Sequence, residues 1–263
     1  FKMKILFIGV FDTDRKSTNT SQLLAFKSLG HNVVGYNYKE KALRVGEKER
    51  DKHLCETVKE YKFDLVVFSK CNFLSEDVFR AINKMTNTCL WFMDPLVSYD
   101  QVMRKRTGLV DYVCCDKENV LEEALKINKN SFHVCEGFDQ DVDKVYDVEK
   151  EYDVSFIGNI YGDRSKIIKD INYDVKIING VYGADHAREA CKSRINLNFC
   201  TSNGASDRVY KILATGGFLL SNDWKNREKY FTDGKECVIF SDIGDLNKKI
   251  EYYLKNPELR KEI

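Results

Sequence analysis

The stretch SRINLNFCTSNGASDRVYKILATGGFLLSN, residues 193–222, decides how the chain is read. Residues 195–199 form an apolar strand and residues 201–207 a small polar loop. A helix opens near Arg208, Gly216-Gly217 stops it, and a second apolar strand follows. A loop between the carboxyl end of a strand and a helix N-terminus is where α/β proteins bind ligands. Backbone N–H groups and the positive end of the helix dipole converge there, so an anion is the natural guest. Asn203, Gly204 and Ser206 are small or polar enough to let a ligand reach the backbone, and Arg208 adds a planar fork suited to phosphate oxygens. A plain capped helix with a solvated arginine is the competing reading.

Outward from this stretch the alternation continues in both directions. Residues 4–10, 31–36, 63–69, 88–93, 112–115 and 132–135 read as short strands. Helical patterns follow Thr20 or Ser21 as cap, fill the charged run 39–62 and cover 75–84 and 117–127. The acidic, apolar-poor run 140–151 reads as a linker, after which strands at 153–157, 175–178 and 237–240 resume the pattern. Helices are expected from about Arg164, over 186–193 and around Leu246, Ile250 and Tyr253. Strands alternating with helices indicate parallel sheets. The expected architecture is α/β, two Rossmann-like domains facing a cleft. The first covers residues 1–140, a linker spans 141–151, and the second covers 152–263.

The 263 residues are 43% hydrophobic and 32% charged, with a net charge of +1. Nothing in that balance demands nucleic acid or an anionic membrane as partner. The basic runs at 104–106 and 248–249 read as solvated faces. Nine cysteines lie scattered without metal-ligand spacing, several inside apolar strands, which argues for a reducing cytoplasmic compartment and against a zinc site. No apolar run of about 18 residues suggests a membrane span. His31 falls where a helix returns to the far end of the sheet and reads as structural.

The runs INLNF, SDRVYKILATGGFLLSND and DGKECVIFSDIGDL, with YDVSFIGNIYGDR at 152–164 and LWFMDP at 90–95, resemble the CgeB/YkvP-like glycosyltransferases. The resemblance covers most of the chain in order. It implies a GT-B-like fold, a nucleotide-sugar donor as co-substrate held by the second domain, and an acceptor held by the first. Such enzymes usually stabilise the diphosphate leaving group without a metal, using helix dipoles and basic side chains. One departure stands out: the family usually has Glu, which accepts from ribose hydroxyls, where this chain has Lys211. A lysine has three donors and no acceptor. It is left to bind a phosphate oxygen or sugar hydroxyl, or simply to lie in solvent.

Within that frame the donor phosphates would meet Gly158, Asn159 and Arg164 on one loop and residues 203–208 on the other. Gly158 just after a strand permits close backbone approach, although a plain strand–helix turn needs it equally. Tyr182, in a glycine-bearing loop after residues 175–178, could stack on the base. For an inverting reaction Asp94, ending a strand beside a proline, is the first choice as general base, and Asp12 the second. Asp12-Thr13-Asp14 is a literal Asp-x-Asp, but metal binding there is not expected. The leading expectation is a metal-independent glycosyltransferase; its acceptor is open among glycan, protein, small molecule and modified base. The alternatives are a GT-B-fold sugar-nucleotide epimerase or hydrolase, and a non-catalytic nucleotide- or sugar-phosphate-binding module.

Overall fold

Strand β1 (Lys4–Gly9, KILFIG) shows why the sheets are parallel and covered on both faces. Its apolar side chains alternate: Leu6 and Ile8 enter one core cluster, Ile5 and Phe7 the other, all at most 1% exposed. A strand buried on both faces suits a parallel sheet flanked by helices. The computed structural model describes residues 1–200 and 204–263. It divides into two units, Phe1–Cys135 and Glu136–Ile263.

The first unit continues with β2 (Asn32–Asn37), β3 (Leu65–Ser69), β4 (Asn87–Phe92), β5 (Tyr112–Cys115) and β6 (Ser131–His133). They pair in the order β2-β1-β3-β4-β5-β6, all parallel. The second unit holds β7 (Tyr152–Ile157), β8 (Val175–Ile178), β9 (Ser193–Asn198), β10 (Leu219–Asn222) and β11 (Val238–Phe240), in the order β8-β7-β9-β10-β11. Each sheet places its second strand on one side of the first and its third on the other. The order reverses between β1 and β3 and again between β7 and β9, and beyond the carboxyl ends at such a reversal an open α/β sheet binds ligands.

Local chemistry moves several expected boundaries. The first helix is Thr18–Ser28, capped by Ser17, whose side chain accepts from Asn19 N; Thr20 and Ser21 are not the cap. Thr20 is instead buried, its hydroxyl accepting from Asp12 N at 3.0 Å. The charged run 39–62 is two helices, Tyr38–Val45 and Glu47–Tyr61, separated by Gly46 at φ +84°. The basic run 104–106 is not wholly solvated. Arg106 is buried, donating to the carbonyls of Asn72 and Leu74, with its guanidinium 5.4 Å from the Phe79 ring centroid.

The segment 136–151 carries no strand and belongs to the second unit. Cys191 and its neighbours hold it: Tyr146 N donates to Cys191 Sγ, and Lys150 Nζ to the carbonyls of Cys191 and Ser193 at 2.7 and 2.8 Å. None of the nine cysteines, all among the described residues, is joined in a disulfide. Among the described residues no helix is long and apolar enough to cross a membrane.

Candidate functional site

Strand β9 carries the alternation that builds the site. Ile195 and Leu197 enter the core on one face, while Asn196 and Asn198, both buried, point to the other. Buried amides need partners. Asn198 Nδ2 donates to Ser221 Oγ at 3.0 Å on β10, and its Oδ1 accepts from Arg208 Nη1 at 2.9 Å. Arg208 sits in the first turn of the helix Asp207–Ala214, the helix that leaves β9. Its Nε donates to the carbonyl of Ile157, the last residue of β7, and its guanidinium lies 4.9 Å from the Phe156 ring centroid. One arginine therefore ties the ends of β7 and β9 together across the reversal of strand order.

Gly158 follows Ile157 at φ +143°, and a Cβ there would stand 2.4 Å from Arg208 Nη2. Both the backbone conformation and the guanidinium exclude a side chain. The same loop is shaped by Arg164, which is 6% exposed: Nη1 donates to the carbonyl of Asn159 and Nη2 to that of Phe199. Its guanidinium lies 4.4 Å from the Tyr161 ring centroid, and its Nε is buried without a partner. Asn159 itself is exposed. Burial, reinforced by Arg164 nearby, pulls the Arg208 guanidinium below its ordinary value.

On the other side of the reversal, Asn203 lies outside the described residues. Gly204 is buried, and Ser206 is the N-cap of the helix Asp207–Ala214 without a side-chain capping bond. Its hydroxyl leans instead toward Asn198 Oδ1, at 3.4 Å. The first N–H groups of that helix thus receive nothing from their cap side chain, the arrangement that accepts an anion.

One turn further, Lys211 Nζ pairs with Asp207 Oδ2 at 2.7 Å. Burial opposes charge on both groups, but their attraction prevails: Asp207 is held below the usual carboxylate range and Lys211 above its ordinary value. His186, on the helix Gly183–Lys192, faces the same charges. It is 8% exposed, its Nδ1 has no partner, and burial together with Lys211 and Arg208 brings its pKa down to about 4, against the pull of Asp207. The imidazole is neutral at physiological pH. Tyr182, 55% exposed, lies past the end of β8, the strand beside β7.

Asn198 and His186 are the residues that the sequence reading passed over. The signal for Asn198 was present: amides at alternate positions of an otherwise apolar strand must be buried against something polar. His186 carried no such signal, because its neighbours come from another helix.

In the first unit, the two carboxylates proposed for catalysis have different surroundings. Asp12 is committed to its own loop, accepting from the backbone N–H of Lys16 and Ser17. Asp14 pairs with Lys16 at 3.4 Å. Asp94 follows β4, and its Oδ1 accepts from Lys70 Nζ at 2.7 Å, with both side chains about one-third exposed (31% and 37%). Among the described residues no group of three or more His, Cys, Asp or Glu side chains could hold a metal ion.

Residues 142–263 match a family described as glycosyl transferase-like. No curated protein matches the chain in sequence. Among solved structures, HepE from Anabaena, crystallised with UDP and glucose, is similar with a TM-score of 0.62 at 11% identity, over 99% of this chain and 92% of that one. Sucrose-phosphate synthase from Thermosynechococcus elongatus gives 0.67 at 10% identity, over 98% and 91%. A putative UDP-N-acetylglucosamine 2-epimerase from Listeria monocytogenes gives 0.55 at 12%, over 100% and 90%. The chain shares the GT-B fold of these structures, with two parallel-sheet α/β domains, and residues 142–263 of its second unit are similar to the glycosyl transferase-like family.

Proposed function

We propose that the protein transfers a sugar from a nucleotide-sugar donor to a hydroxyl acceptor without a metal, as an enzyme close to the CgeB/YkvP-like glycosyltransferases. The observation that carries the proposal is Arg208, bridging the ends of β7 and β9 beside Gly158. A cation at that reversal, flanked by a helix N-terminus that Ser206 does not cap with its side chain, suits a diphosphate whose negative charge grows as it leaves. Gly158, Gly204, Ser206 and Arg208 contact the diphosphate. Arg164 and Asn159 shape the facing loop. Lys211 meets a phosphate oxygen or sugar hydroxyl, and Tyr182 stacks on the base. UDP is the first nucleotide to test, because HepE was crystallised with it.

The acceptor belongs to the first unit, with Asp94 as general base. The acceptor oxygen bonds to the anomeric carbon as its proton passes to the Asp94 carboxylate. The carbon–oxygen bond to the phosphate breaks, and its electron pair leaves on the nucleoside diphosphate. Asp94 is preferred to Asp12 because Asp12 already accepts from two backbone N–H groups of its loop. Nine cysteines scattered without metal-ligand spacing, several inside apolar strands, favour a reducing, cytoplasmic setting.

A thermal-shift screen of UDP, GDP, dTDP, CMP and their sugar conjugates tests the reading. Stabilisation by one nucleotide and its conjugate, followed by nucleotide release only when a hydroxyl acceptor is supplied, is expected. Release with no acceptor, and free sugar as product, would assign the fold to the hydrolase or epimerase chemistry instead. No stabilisation by any would leave the donor site without support.

A further inference from the structure

The carboxyl end of β3 holds a feature that the donor chemistry does not use. Two consecutive residues without glycine's freedom, Lys70 at φ +60° and Cys71 at φ +58°, adopt left-handed backbone there. Non-glycine residues in that region carry strain, and they persist where the surroundings over-determine them, often at functional sites. The surroundings here are explicit. Lys70 N donates to the carbonyl of Trp91 at 2.9 Å, extending the β3–β4 ladder by one step, and Cys71 N turns back to the carbonyl of Ser69 at 2.8 Å. Cys71 is fully buried, while Lys70 stays about one-third exposed and reaches Asp94. Beside them Ser69 Oγ accepts from Asn19 Nδ2 at 2.7 Å, so the end of β3 is also tied to the helix that leaves β1. This is the reversal of strand order in the first sheet, the counterpart of the Arg208 position in the second.

We propose that Lys70 is the residue that positions Asp94 and completes a hydroxyl-binding pair for the acceptor, an inference that rests on the transferase reading above. The ammonium has three N–H donors, of which Asp94 Oδ1 takes one. The carboxylate supplies acceptors only. Side by side, and both open to solvent, they match a hydroxyl, which must accept one hydrogen bond and donate another. Two adjacent hydroxyls of a polyol fit the pair better than one. Pro95 disfavours helical backbone at Asp94, and Lys70 Nζ holds its carboxylate at 2.7 Å. The backbone hydrogen bonds of residues 70 and 71 hold the left-handed conformation from which Lys70 reaches Asp94.

Lys70→Gly separates this from a structural ion pair, because glycine relaxes the left-handed backbone while removing the ammonium. The expected result is a thermal midpoint equal to or above that of the wild type and an unchanged midpoint shift with UDP. Release of UDP from UDP-glucose, with glycerol as acceptor, should fall about tenfold or more in kcat at an unchanged KM for UDP-glucose. Lys70→Arg should recover most of that loss. Equal release by wild type and Lys70→Gly would overturn the inference, as would a lowered midpoint accompanied by loss of the UDP shift, or an arginine variant no better than glycine. Absence of a UDP shift in the wild type would instead count against the donor site, a separate failure.

Discussion

Arg208 Nη2 occupies the space that a side chain at residue 158 would need, 2.4 Å from where its Cβ would stand. Gly158 and Arg208 are therefore one structural unit, although they lie on different loops. Gly158→Ala strains a backbone at φ +143° and in addition presses the guanidinium away from Ile157 and Asn198. A loss of about 2 kcal/mol or more in urea unfolding is expected, with weakened UDP binding in the same variant. Unchanged stability and binding would show that the two residues are not coupled.

His186 sets a pH dependence with a definite sign. Its pKa in the folded protein is about 4, below the unfolded value near 6.5. The unfolded chain therefore binds the proton first, so the stability that neutral His186 supplies is complete above about pH 6.5 and declines as pH falls toward 4. The decline attributable to this residue is of order 3 kcal/mol. Denaturant titrations at pH 7 and pH 4.5 should show it, and His186→Gln should flatten the slope. An identical slope in that variant would transfer the effect to other groups.

The Asp207–Lys211 pair works at lower pH. Asp207 is held below its unfolded value, so its contribution is present above about pH 4 and lost as pH falls through the folded value. Lys211→Met removes the partner that holds Asp207 low and should bring acid unfolding to higher pH. Circular dichroism followed through an acid titration reads the shift, and an unchanged acid midpoint would contradict it.

Arg164 and Arg208 should separate by phenotype. Arg164 is buried, with two carbonyls and an aromatic face as partners, so Arg164→Ala is expected to cost about 3 kcal/mol of stability. Arg208→Lys keeps a cation but loses the fork that spans Ile157 and Asn198, and should lose nucleotide binding well before it loses the fold. Equal thermal midpoints for wild type and Arg164→Ala would contradict the first assignment.

Asp94→Asn is expected to leave the UDP shift intact and to lower kcat by about 10²–10⁴. Asp12→Asn should instead destabilise the first unit by roughly 1 kcal/mol, because its carboxylate caps the loop before the helix Thr18–Ser28. A reversal of these two phenotypes would exchange the roles of the residues.

The apolar side of this fold is legible in the residues themselves. KILFIG, FDLVVFS and INLNF announce buried parallel strands by composition alone, and Gly158 and Arg208 stand at strand and helix ends where ligand contacts are expected. The buried polar groups were hidden for a physical reason. Arg50 and Arg106 look like ordinary surface charges, yet both are buried: Arg106 donates to the main-chain carbonyls of Asn72 and Leu74, and Arg50, paired with Asp51, also donates to the carbonyl of Phe73. Carbonyls exist at every position, so such partners leave no mark in the sequence. The same holds for His186, whose charged neighbours Lys211, Asp207 and Arg208 lie more than twenty positions away. The left-handed pair Lys70–Cys71 was equally silent, since neither residue type favours that backbone.

The most direct measurement is calorimetric titration of UDP and of uridine into the wild-type protein and into Arg208→Lys. Binding of UDP, at least tenfold weaker binding of uridine, and loss of that difference in the variant are the expected results, because the phosphates provide the contacts that Arg208 and the helix N-terminus make. Equal affinity for UDP and uridine, or unchanged UDP affinity in Arg208→Lys, would contradict a diphosphate site at the reversal between β7 and β9.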